Sequence, residues 1–337
     1  MSNVISVLGA GSWGTTLAIH LSKKGNSVKL WEFLPDAAKQ LSEIRENKDF
    51  LPGIPIPKNI LITSDLMSAV KNTDIVVFAV PSHVVREVAY QFNKTDYDAP
   101  VIVNVAKGIE NDTLLRMSEV LEEELPGRLH DKICTLSGPS HAEEVSRNMP
   151  TTIVAASRFK AIAKHVQAVF MSEYLRVYTN IDIIGVELAG SLKNIIAIAT
   201  GVADGLGYGD NAKGALLTRG LAEITRLGVK MGANPLTFAG LSGMGDLITT
   251  CMSQHSRNRY VGEKIGKGQT LKEVLTSMKM VAEGVRTTKS AYQLAQNMKI
   301  EMPITEQMYD ILFNDKDPQS VTRELMLRDP KSEIEEF

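Results

Sequence analysis

Short β-branched runs alternate with stretches of helical apolar spacing through the first half of the chain. Val4–Leu8 is one such run, ended by Gly9, and residues 12–24 then keep apolar positions at helical spacing as far as Gly25. A second strand is predicted over 28–31, and Pro35-Asp36 opens a charged helix reaching about Glu46. Three prolines and a glycine between 50 and 57 predict irregular chain, with a short strand at 60–63 after it. Residues 74–80 form a continuous apolar run, as a strand buried on both faces requires, and Pro81 ends it. Residues 101–106 form another, ended by Lys107-Gly108; 133–136 leads into Ser137-Gly138-Pro139-Ser140, and 152–155 predicts one more strand.

From about Asp182 the strand signals stop. Helical periodicity takes over at 182–201, 215–231, 235–241, 271–279 and 287–296. Alternating strands and helices imply a mostly parallel sheet covered on both faces. The expected architecture is α/β: a Rossmann-like doubly wound sheet over 1–182, then an all-α domain over 183–337. A chain of 337 residues is long enough for about two domains. There is no internal repeat and no low-complexity segment.

A net charge of −2 carries no basic excess, so nucleic acid is not an expected partner. Cys134 and Cys251 stand far apart and outside any metal spacing, which fits a reducing compartment. Met1-Ser2-Asn3 runs into an apolar strand without the charged start and cleavage site of a signal peptide. No apolar stretch reads as reaching the roughly 18 residues that span a bilayer. The expectation is a cytoplasmic protein without membrane insertion.

Gly9-Ala10-Gly11-Ser12-Trp13-Gly14 follows a strand directly and opens a helix, the context a dinucleotide fingerprint requires. Gly9 permits the tight turn, Gly11 lets backbone approach a pyrophosphate, and Gly14 lets helix and strand pack closely. The helix N-terminus then offers N–H groups and a dipole to the anion. Glu32 lies 18 residues after Gly14, where such folds place an acid on the adenosine ribose. A carboxylate there accepts a hydrogen bond from the 2′-OH and repels a 2′-phosphate, which favours NAD over NADP. The alternative is an exposed glutamate opening a loop.

Ligands of open α/β sheets bind beyond the carboxyl ends of the strands. Those ends collect Gly9, Glu32, Val80-Pro81-Ser82, Ala106-Lys107-Gly108 and residues 137–140, with Lys107 the group best suited to an anionic substrate. In the second half, Lys193 sits in a helix that is apolar nearly all round, with Val186, Ala189, Ile196 and Ala197 on its own face. Desolvation lowers a lysine's pKa, which suits acid–base work near neutral pH; the alternative is a lysine that snorkels to water. Asn194 beside it can donate to a carbonyl oxygen. Asp246 follows the Gly-rich stretch Leu241-Ser242-Gly243-Met244-Gly245, either as a functional acid or as a helix cap. Ser256 can cap a helix whose first turn carries Arg257 and Asn258, a geometry that holds phosphate; a solvated basic turn is the alternative. None of the six histidines falls in a metal motif, and no metal is expected.

With these motifs in their order and spacing, the chain resembles the NAD(P)-dependent glycerol-3-phosphate dehydrogenases of the bacterial type. The resemblance extends over almost the whole chain and includes Val80-Pro81-Ser82-His83, residues 187–194, Val281-Ala282-Glu283-Gly284 and Met302-Pro303-Ile304-Thr305-Glu306. It implies a C-terminal domain like that of 6-phosphogluconate dehydrogenase and reversible NAD(H)- or NADP(H)-dependent reduction of dihydroxyacetone phosphate to sn-glycerol 3-phosphate for glycerophospholipid synthesis. It also implies a homodimer. By resemblance, the dinucleotide contacts fall on Ser12, Trp13, Phe33, Lys107, Ala142, Arg257, Val281 and Glu283. The substrate contacts fall on Lys107, Gly138, Ser140, Lys193, Asp246, Ser256, Arg257 and Asn258, with Lys193 the proton acceptor in oxidation. Lys107 and Asn194 would hold the carbonyl or hydroxyl oxygens, and Asp246 would orient the Lys193 ammonium. Many family members carry a basic or small residue around positions 32 and 33; Glu32 departs from that.

Two other readings use parts of the same pattern. A β-hydroxyacid dehydrogenase shares the domain plan and a helix lysine followed by asparagine, but not Arg257 and its cluster. A catalytically silent NADH sensor needs the glycine turn and neither Lys193 nor Arg257.

Overall fold

A computed structural model describes residues 2–95, 97, 100–330 and 332–333. Met1, part of the N-terminal tripeptide read above, lies outside them. The chain divides into two units, Met1–Lys107 with Leu115–Ile183, and Gly108–Leu114 with Ile184–Phe337.

The first unit is built on eight strands: β1 Val4–Leu8, β2 Ser27–Trp31, β3 Leu61–Thr63, β4 Ile75–Phe78, β5 Val101–Asn104, β6 Ile133–Ser137, β7 Thr151–Ala156 and β8 Leu175–Asn180. Their order in the sheet is β3-β2-β1-β4-β5-β6-β7-β8. All neighbours run parallel except β6 and β7. The order reverses between β1 and β4, the switch point where open α/β sheets take ligands. The helices of this unit are α1 Ser12–Lys23, α2 Pro35–Ile44, α3 Leu66–Val70, α4 Val85–Asn93, α5 Met117–Glu124, α6 Ala142–Val145 and α7 Lys160–Phe170. β4 is fully buried, as its unbroken apolar sequence predicts. The strand β8 was not predicted. Leu175 and Val177 face inward while Arg176 and Tyr178 are exposed, the alternation of a half-covered strand. Its short run lies just before the helical half and is easily read as part of that transition.

The second unit holds α8 Ile183–Gly205, α9 Asp210–Lys230, α10 Pro235–Phe238, α11 Asp246–Met252, α12 Arg257–Gly266, α13 Leu271–Ser277, α14 Glu283–Met298, α15 Pro303–Phe313 and α16 Pro318–Met326. The helix predicted over 235–241 stops at Phe238, and a π-helical turn, Leu241–Gly245, follows. The expectation that no segment has the length and apolarity of a membrane span is corrected by α8, which has both. It is a core helix instead: nearly all of its apolar stretch is buried inside the unit. Each fully buried Leu or Ile there contributes roughly 1.5–3 kcal/mol.

Glycines let the α12 backbone press against α8. A Cβ on Gly201 would collide with the Arg259 carbonyl, and one on Gly262 with the Ile198 carbonyl. Asp204 of α8 clamps the same crossing, accepting from Arg259 Nε at 2.6 Å and pairing with Lys213 at 2.5 Å. The segment Gly108–Leu114 lies within the strand-rich half of the sequence yet belongs to the helical unit. Ile109 is buried in the helical core, and Ser290 of α14 donates its hydroxyl toward the Ile109 carbonyl at 3.0 Å.

Candidate active site

In the strand-rich unit, the predicted residues gather at the carboxyl ends of the strands. Gly9 ends β1 with φ +111°, a left-handed value that a side chain opposes. Its N–H donates to the Trp31 carbonyl at the end of β2 (3.0 Å). A Cβ on Gly14 would run into the Gly9 carbonyl oxygen, so α1 reaches its packing distance only with glycine there. By contrast, a Cβ on Gly11 would meet nothing within 4 Å. No side chain caps the N-terminus of α1 either. That open face beside a twelve-residue helix suits the pyrophosphate of a dinucleotide. Ser12 is buried in the first turn of α1, and Trp13 is half-buried against the sheet core.

Glu32 follows β2 directly, and its Oε1 accepts from the Leu34 N–H at 3.1 Å. Phe33 is exposed, its ring edge-on to Trp31 with centroids 6.1 Å apart. Lys107, three residues past the end of β5, donates from Nζ to the Gly138 carbonyl at 3.0 Å. Ser140 Oγ donates to the same oxygen at 2.9 Å, joining the two predicted anion contacts on one acceptor. Gly138 has φ +126° and no room for a Cβ beside Ile153. Ala142, which opens α6, is tied to α1 through its carbonyl by Thr16 Oγ1 at 3.4 Å.

In the helical unit, Lys193 and Asp246 are both buried, with Nζ 3.0 Å from Oδ1. Asp246 is the first residue of α11, and the cap position before it is held by Gly245. The π-helical turn before it delivers the carboxylate to Lys193, and Gly243 within that turn sits where any Cβ would strike the Phe238 backbone. Thr250 completes the cluster. Its Oγ1 accepts from Lys193 Nζ at 2.5 Å and donates to Asp246 Oδ1 at 3.1 Å. In the sequence, Thr250 is marked only by its place one turn after Asp246 on the same helix face. A buried ion pair is costly to desolvate and often no more stable than an apolar replacement. A buried ammonium beside a carboxylate and a hydroxyl is therefore better explained by chemistry than by stability. Cys251, next along α11, is a poor reagent: burial pushes its thiol up to about 12.

Asn194 is oriented by a second chain of hydrogen bonds. The Gly284 N–H, in the first turn of α14, donates to Asn258 Oδ1 at 2.9 Å. Asn258 Nδ2 donates in turn to Asn194 Oδ1 at 2.9 Å. Because a backbone N–H can only donate, both amides have one orientation, and the Asn194 NH2 is left as the donor beside Lys193. Ser256 caps α12, its Oγ accepting from the Arg259 N–H at 3.2 Å, with Arg257 and Asn258 in the first turn. Arg257 Nη1 donates to the Val281 carbonyl at 3.1 Å, and Glu283 opens α14. All the residues predicted in the second half thus fall on α8, α11, α12 with its cap Ser256, and the start of α14 with the two residues before it.

Comparison with known proteins fits this arrangement. Residues 4–163 match the N-terminal domain, and 182–323 the C-terminal domain, of the NAD-dependent glycerol-3-phosphate dehydrogenase family. The chain is 53% identical over 330 residues to an NAD(P)+ glycerol-3-phosphate dehydrogenase of Chlorobium phaeobacteroides, covering 98% of this chain and 99% of that one. It is 52% identical to that of Bacillus subtilis, over 99% and 96% of the two chains. The crystal structure of glycerol-3-phosphate dehydrogenase from Coxiella burnetii superposes with a TM-score of 0.93 at 38% identity, over 97% and 99% of the chains.

Proposed function

Because this chain belongs to the NAD-dependent glycerol-3-phosphate dehydrogenase family, we propose that it reversibly reduces dihydroxyacetone phosphate to sn-glycerol 3-phosphate with NADH or NADPH. The observation that carries the reading is the buried Lys193–Asp246–Thr250 cluster, whose neighbour Asn194 is hydrogen-bonded to Asn258 in the first turn of α12. One set of helices thereby joins a proton donor to an anion-binding helix start.

When bound, the coenzyme supplies the hydride that adds to the carbonyl carbon. The strand-rich unit holds it through the 9–14 turn, Glu32, Phe33 and Ala142, with Lys107 turned to substrate oxygen. The Gly138 carbonyl holds the Lys107 ammonium, and Gly138 and Ser140 contact the substrate beside it. In the helical unit, Lys193 Nζ gives a proton to the developing alkoxide in reduction and takes it back in oxidation. Asp246 balances the ammonium's charge, Thr250 fixes its direction, and the Asn194 NH2 donates to the reacting oxygen. The α12 N-terminus takes the phosphate through Ser256, Asn258 and the Arg257 fork; Arg257, Val281 and Glu283 also serve the coenzyme.

The product is the glycerol backbone precursor of glycerophospholipids, made in the cytoplasm by a homodimer joined through the helical domain 183–337. A mass twice the 36.9 kDa of one chain by light scattering checks the dimer. The activity is tested by NADH absorbance. Oxidation with dihydroxyacetone phosphate and none with 3-oxo acids supports the reading; the opposite pattern would move the chain to the β-hydroxyacid dehydrogenases. NADH binding without oxidation would make it a sensor.

A further inference from the structure

The similar chains of Chlorobium phaeobacteroides and Bacillus subtilis carry names that leave NAD and NADP both open, and the turn after β2 bears on the choice. We infer that Glu32-Phe33-Leu34 makes this chain selective for the coenzyme without a 2′-phosphate, NAD(H) over NADP(H). The inference rests on the coenzyme reading above and deepens it.

The turn lies at the carboxyl end of the strand next to β1, where this sheet order places the adenosine half of a dinucleotide. The Glu32 carboxylate does not dangle as an exposed loop side chain. Its Oε1 accepts from the Leu34 N–H and its residue is half-buried, which leaves Oε2 to accept from a ribose hydroxyl. The Glu32 N–H donates to the Thr63 carbonyl at 3.0 Å and Trp31 Nε1 to the Ser64 carbonyl at 3.0 Å, so the ends of β2 and β3 are tied together beneath it.

Asp36 lies in the first turn of α2, and Asp65 caps α3 just after β3. The same elements also carry Lys29 and Lys39. Lys29 of β2 is committed to the Ser68 and Lys71 carbonyls at the end of α3, and Lys39 stands a full turn into α2. Phe33 and Leu34 instead present apolar surface, 64% and 56% exposed, as an adenine ring needs. A 2′-phosphate placed here would meet carboxylates and lack the guanidinium fork that normally receives it.

The test is direct binding. NADH and NADPH are titrated separately into the purified full chain, and Kd is read from quenching of protein fluorescence. NADH is expected to bind at least about tenfold tighter, the scale of one hydrogen bond to a charged group. Glu32→Ser should shrink that ratio by about tenfold, and adding Leu34→Arg should invert it by lowering Kd for NADPH. Equal affinities, tighter NADPH binding, or a ratio that Glu32→Ser leaves unchanged would overturn the inference while the coenzyme reading stands. If neither nucleotide binds, both fall.

Discussion

On the proposed reading, the two units would do chemistry in opposite ways. The strand-rich unit works largely with backbone: Gly9, Gly11 and Gly14 contribute by lacking side chains, and the start of α1 offers N–H groups and a dipole. The helical unit works with side chains drawn from separate helices: Lys193 from α8, Asp246 and Thr250 from α11, Asn258 from α12. A backbone site is local, inexpensive in free energy and visible as spacing. A side-chain site needs tertiary packing and buries charge that must be compensated.

The largest effect should come from cutting the helical site at its proton donor. Lys193→Ala is predicted to lower kcat by a factor of roughly 10² to 10⁴, the usual worth of an acid–base group. Steady-state turnover with dihydroxyacetone phosphate checks it, and near-normal kcat removes Lys193 from the role. Next, Asp246→Ala leaves the ammonium buried without its counter-charge and should cost about 3–5 kcal/mol of stability in the helical unit. Denaturant titration measures it; an unchanged midpoint would mean the pair is already hydrated.

A third prediction concerns a carboxyl outside the site. Glu223 of α9 accepts from the Ile304 and Thr305 N–H groups at 2.7 and 3.2 Å, holding the start of α15. That gives Met302-Pro303-Ile304-Thr305-Glu306 a structural use. Burial raises Glu223 from 4.5 to about 7, and the hydrogen bonds from Ile304 and Thr305 moderate the rise. Between those values the folded chain holds a proton that the unfolded chain has lost. Stability from this group should therefore fall as pH rises from about 4.5 to about 7, by roughly 3 kcal/mol, and level off above. Glu223→Gln should flatten that dependence in denaturant titrations across the window. An identical slope in the variant contradicts the assignment. The smallest effect belongs to the phosphate grip: Arg257→Ala should raise KM for dihydroxyacetone phosphate about 10- to 100-fold. A KM left in place would show that the α12 backbone holds the phosphate without it.

The same contrast explains what could be read from the sequence. The glycine turn, the apolar run of β4 and the order of strands and helices follow from local spacing. So does Lys193, because an ion surrounded by Val186, Ala189, Ile196 and Ala197 conflicts with its own helix. Thr250 did not stand out, since a threonine gains meaning only when α11 packs on α8. Nor did the Gly284–Asn258–Asn194 chain, whose members are dozens of residues apart. β8 was missed although Leu175 and Val177 alternate with exposed neighbours, because the run is short and abuts a helical half. α8 reads as falling short of a membrane span because its polar residues, Lys193 and Asn194 among them, interrupt the run; only packing shows that they too are inside.

The central claim is that Lys193 supplies the proton and not the grip on the coenzyme. NADH titrated into Lys193→Ala tests it most directly. The account predicts a Kd within about twofold of wild type, a difference under 0.5 kcal/mol, in a protein whose turnover has collapsed. A Kd that weakens in step with kcat would contradict it.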